Sequence, residues 1–183
     1  MTTPIERKAV DLILMGSFTA CCDLIEPLRK QFGGIDGLHN DELVGDVLQA
    51  ALILSTILRI ERELGQADYD PFHRQLIQKI DNSVRDRYKR ALDSLASYLL
   101  QTPPDHFPSD SLPSLAILND LPNEHLSALV GAWIYKAITG GASLEGASAQ
   151  QFASGVGDIV YDKEASLMAS VVVSDKRLLN RKI

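Results

Sequence analysis

Along most of this chain, apolar residues recur at steps of three, four and seven, the period of a helix face. The first run is Ile5, Ala9, Leu12, Met15, Cys22, Ile25 and Phe32. Pro4 after Thr3 suits a first helical position behind a cap. Pro27 predicts a kink or a split near Glu26, and Gly33-Gly34 ends the helix. The second run, Asn40 to Leu64, is apolar nearly all round, from Val44 and Val47 to Leu58 and Ile60. A helix of that kind is buried on most sides. Asn40 or Asp41 caps it, Asp41-Glu42 suit its positive end, and Gly65 closes it.

Asp70-Pro71 opens a third helix. Phe72, Leu76, Ile80, Val84, Ala91, Leu95 and Leu99 form its inner stripe, and Lys79, Asp86, Lys89, Arg90 and Asp93 its wet side. A fourth helix runs from about Asn123 to Thr139, with Trp133 and Ile134 on its apolar side, and Gly140-Gly141 stop it. Small residues at Ala142, Gly146, Ala149 and Ala153 suit either close helix packing or a flexible connector. Tyr161 to Leu179 reads as a last helix capped by Asp162. Val171-Val172-Val173 favours a strand locally, but no other segment offers a pairing partner. The pattern therefore predicts an all-α bundle of five or six helices around a buried central helix at about 40–64. Residues 1–183 form one domain, with a candidate subdomain break at 102–122, where five of the eight prolines fall.

Composition agrees and narrows function. The chain has 183 residues, 45% of them hydrophobic and 23% charged. That length buries a core without a disulfide or a metal. A net charge of −6 opposes binding to nucleic acid and to anionic membranes. The basic clusters Arg85–Arg90 and Lys176–Lys182 read as solvated helix faces or as contacts for an acidic partner.

The stretch Arg7 to Cys22, RKAVDLILMGSFTACC, admits three readings. Arg7-Lys8 followed by Ala9–Ala20 resembles an export signal, with Phe18-Thr19-Ala20-Cys21 as a lipid-anchor box. Asp11 interrupts that apolar run. A vicinal dithiol needs exposed, low-pKa thiols, and Asp23 next door works against them. The third reading, a core helix with buried cysteine, fits the periodicity best.

Candidate chemistry is sparse. His39, Glu42 and Asp46 share one helix face if the helix includes His39. An imidazole and two carboxylates make a half-site for a divalent metal such as Mg or Mn. Paired-metal bundles repeat such a motif on other helices, and this chain does not. His39, His73, His106 and His125 are scattered, and the nucleotide and hydrolase motifs are missing. The leading expectation is a non-catalytic interaction protein of the adaptor, accessory or immunity type. It is expected to be cytoplasmic, to bind another protein or itself as a homodimer, to avoid nucleic acid and membrane, and to need no cofactor. Trp133, His106 and Phe107 are its candidate partner-binding residues. The alternatives are a divalent-metal-dependent helical-bundle hydrolase at His39, Glu42 and Asp46, and an envelope protein anchored through Cys21.

Overall fold

The computed structural model describes the backbone of residues 4–107, 113 and 115–180. Side chains are described for 8–64, 78, 79, 89–103, 105–107, 113 and 115–175. The helix-face residues Phe72, Leu76, Ile80 and Val84, together with His73, most of Arg85–Arg90 and the basic tail, lie outside the described side chains.

The described residues form an all-α bundle. α1 is Pro4–Phe32, α2 is Asp41–Leu100, α3 is Asn123–Ile138, α4 is Ala147–Gly157 and α5 is Ser166–Asn180. Short 3-10 turns at Pro104–His106 and Ala116–Leu118 sit in the proline-rich segment. A π-helical stretch, Asp158–Ala165, joins α4 to α5 without a break.

The first half of α2 is the core helix. Val44, Leu48, Ala51, Leu52, Ile53, Leu54, Ile57, Leu58 and Ile60 are fully buried or nearly so. Residues 41–64 are also long and apolar enough to cross a membrane, but 78% of the apolar 18-residue window within them is buried inside the bundle. The other helices supply the apolar cover that a bilayer would otherwise supply. Asn40 caps α2 by accepting from the Leu43 amide, as its position predicts.

Helix α2 continues through Gly65 and Pro71 to Leu100, where two helices were expected. It still changes direction. Arg59 stacks on Tyr161, Gly157 lies against Ser127, and the Trp133 indole reaches Ser94. Side-chain lengths and helical rise limit that route from Arg59 to Ser94 to about 47 Å. A straight helix would separate the same two residues by about 52 Å. Helix α2 is therefore bent between Arg59 and Ser94, and Leu92, Leu95, Ala96 and Leu99 are buried again.

The face of α1 differs from the predicted one. Val10, Ile13, Ser17, Cys21 and Leu28 are buried, whereas Met15 and Cys22 are exposed. Helix α1 packs on α2 on one side and on α5 on the other, so its buried stripe is rotated from the predicted one. Pro27 does not split α1, which runs as one helix from Pro4 to Phe32. It is exposed, and the carbonyl it leaves without a donor belongs to exposed Asp23. The α1–α2 turn lies on the end of α3, where a Cβ on Gly37 (φ +88°) would meet the Ile138 carbonyl at 2.1 Å.

Helices α3 and α4 make the closest packing in the bundle. A Cβ on Gly131 would meet the Ala153 carbonyl oxygen at 1.8 Å, and one on Gly157 the Ser127 carbonyl oxygen at 2.2 Å. The small-residue stretch is thus a packed helix at Ala149 and Ala153, while Ala142 and Gly146 are exposed. In the proline-rich segment Pro113, Leu115 and Leu118 are buried, and Arg62 donates to the Leu121 carbonyl at 2.8 Å.

Candidate functional site

Ser94, Ser97 and Tyr98 fall on one face of α2 at i, i+3 and i+4. Trp133, Lys136 and Ala137 do the same on α3. The two triplets face each other across a groove of about 330 Å³. That volume lies at the lower end of the range for small-molecule and side-chain pockets. Trp133 is 4% exposed, and its indole N–H donates to the Ser94 hydroxyl at 3.1 Å. This bond locks the ring as one wall. Tyr98 forms the other, with the Lys136 ammonium 5.3 Å from its ring centroid.

Among the described residues no carboxylate pairs with Lys136, and none lines the groove. The groove offers one cation, two serine hydroxyls and two aromatic rings, one of them a phenol. That set suits an anionic group attached to an apolar or aromatic body. The Ser97 hydroxyl donates to the Thr102 carbonyl at 2.7 Å. The loop with exposed His106 and half-buried Phe107 therefore leaves from the groove wall. Of the three partner residues expected from sequence, only Trp133 lines the groove, and as a buried wall. The other lining residues were missed. Nothing in the spacing of Ser94, Tyr98 and Lys136 marks them until α3 is laid against α2.

A second polar cluster belongs to the fold. The Arg59 guanidinium lies 4.2 Å from the Tyr161 ring centroid, donates to the Tyr161 carbonyl at 3.3 Å and pairs with Asp162. Asp162 is therefore an ion-pair partner inside the π segment, and no helix begins there for it to cap. Burial pushes the Tyr161 phenol above its usual pKa, against the nearby Arg59 and Arg62. The phenol oxygen is enclosed and makes no hydrogen bond of good geometry. The Ser127 hydroxyl donates to Asp158 at 2.9 Å and ties α3 to the π turn.

His39 lies in the turn before α2 and is exposed, so it does not share the helix face of Glu42 and Asp46. Glu42 is exposed and Asp46 half-buried. No group of three or more His, Cys, Asp or Glu among the described residues is placed to hold a metal. Cys21 is the buried member of the cysteine pair, and its thiol donates to the Gly45 carbonyl at 3.5 Å. Burial, then Cys22 and Asp46, push it up to about 11. Cys22 is exposed, and neither cysteine is in a disulfide. Compared with protein-family models, with curated proteins and with solved structures, the chain finds no match.

Proposed function

We propose that this is a non-catalytic protein-interaction protein of the cytoplasm, of the adaptor or accessory kind, active as a homodimer. The groove between the end of α2 and α3 receives an acidic segment of its partner. The observation that carries this reading is the unpaired Lys136 set between Tyr98 and Trp133 with two serine hydroxyls beside it. A partner carboxylate meets Lys136, and an adjacent apolar or aromatic side chain enters between the rings. The overall charge of −6 makes Lys136 a local exception, which favours specificity for that spot over general attraction of acidic proteins.

Trp133 is a poor residue for a first test, because its burial makes loss of folding the expected result of truncation. Lys136→Glu and Ala137→Trp act on the groove itself, by charge reversal and by filling. Affinity capture from the native host with wild type and both variants is the test. A partner held by wild type and lost from both folded variants supports the reading. A partner held equally by all three removes it.

A further inference from the structure

The polar groups of the groove divide into donors and an acceptor. The Ser94 hydroxyl oxygen accepts from the Trp133 indole, and its own proton has no acceptor among the described residues. The Tyr98 phenol makes no hydrogen bond among them either. Ser97 is the reverse: its proton goes to the Thr102 carbonyl, so only lone pairs are left to the groove. With the Lys136 ammonium, the groove presents three donor groups and one acceptor. Ser94 is exposed and Tyr98 and Lys136 are half-buried, so all three donors are within reach of a ligand.

The surrounding field limits the charge of that ligand. Ser97 and Tyr98 lie in the last turn of α2, and Lys136 and Ala137 in the last turn of α3. Helix C-termini carry partial negative charge. The last turn of α2 holds no basic residue, and that of α3 holds Lys136 alone. A ligand's first negative charge meets Lys136, and a second would meet only the carbonyl ends of two helices.

We infer that the groove recognises one carboxylate beside one aromatic residue, in a partner segment without further charge, and that it rejects the phosphorylated form of such a segment. The inference rests on the groove reading of the proposed function and narrows its ligand. A carboxylate carries one charge and two acceptor oxygens, which match one cation and the Ser94 and Tyr98 protons. Ser97 then accepts a backbone N–H of the segment. A phosphoserine brings about −1.5 to −2 charges at pH 7 and finds no second cation. The ring enters the space of about 330 Å³ between Tyr98 and Trp133, where offset or edge-to-face contact is available to it.

Trp133 is the reporter. The chain has one tryptophan, so the indole N–H gives a single signal in a nitrogen–proton correlation spectrum. The full chain is titrated with capped Gly-Phe-Asp-Gly and Gly-Asp-Phe-Gly, and with the same peptides carrying Asn or phosphoserine for Asp, or Leu for Phe. The better Asp peptide should bind at least about tenfold more tightly than its Asn and phosphoserine forms, and about fivefold more tightly than its Leu form. Tyr98→Phe keeps the ring beside Lys136 and removes one donor, and should weaken the Asp peptide about fivefold with the melting temperature unchanged. Lys136→Met should erase the preference for Asp over Asn. A phosphoserine peptide that binds as tightly as the Asp peptide overturns the inference and leaves the groove a general acceptor of acidic segments. An affinity indifferent to Tyr98→Phe overturns it too. If no peptide moves the indole signal the inference falls, and capture of the native partner by wild type but not by Lys136→Glu would show that the groove reading survives it.

Discussion

Cys21 and Cys22 are neighbours in sequence with opposite surroundings, since adjacent helical residues point about 100° apart. One faces Gly45 in the core and the other faces solvent. A maleimide at neutral pH should label Cys22 in the native protein within minutes and leave Cys21 untouched until unfolding. Mass analysis of the labelled peptide checks this, and native labelling of Cys21 would show that α1 is not docked as described. The raised Cys21 pKa also sets an alkaline limit. Below pH 9 the folded and unfolded states both hold the proton. Between pH 9 and about 11 the unfolded state releases it first. Stability present below pH 9 is therefore lost as pH rises through that window, by about 2–3 kcal/mol in full. Cys21→Ala should flatten that loss in urea titrations at successive pH values. Tyr161 acts in the same direction, so part of the alkaline loss remains in the variant. Tyr161→Phe removes a buried hydroxyl that makes no good hydrogen bond, and should change stability at neutral pH by less than about 1 kcal/mol. A larger loss would mean that the Arg62 guanidinium is a true partner of the phenol.

Packing between elements makes one substitution carry opposite signs at two glycines. At Gly131 a methyl group meets the Ala153 carbonyl at 1.8 Å, so α3 and α4 must separate. Gly131→Ala should cost at least about 3 kcal/mol in urea unfolding. At Gly45 in α2, nothing lies within 4 Å of the added methyl. Gly45→Ala should stabilise by about 0.5–1 kcal/mol, by removing unfolded-state freedom and improving helix propensity. Equal effects at the two sites would contradict the α3–α4 contact. Much of this was legible in the sequence. The all-round apolar pattern of 40–64 marks a buried helix, and Ala149 and Ala153 mark a close approach. The face of α1 was not legible, because the helix carries two apolar stripes and the sequence cannot say which one meets α2. Nor was the π segment at Asp158–Ala165, since its pattern is read with the period of an α-helix.

At the scale of the molecule, the decisive feature is that the longest helix does not run straight. Sixty residues of straight α-helix would be about 90 Å long. The turn signals Gly65 and Asp70-Pro71 predict a break there, and the chain keeps its helical hydrogen bonding while changing direction between Arg59 and Ser94. The result places Ser94, Ser97 and Tyr98 against α3, so the groove depends on the bend in α2. The candidate site was hidden from the sequence for this reason: its two walls come from helices far apart in the chain, and no local spacing encodes their contact. Small-angle scattering extrapolated to zero protein concentration tests the point. The maximum dimension should fall well short of 90 Å, because both halves of α2 lie on the same body. A dimension at or above about 90 Å would mean that α2 extends straight, and the contact between Trp133 and Ser94 could not form. Binding at the groove would then fail in every variant alike.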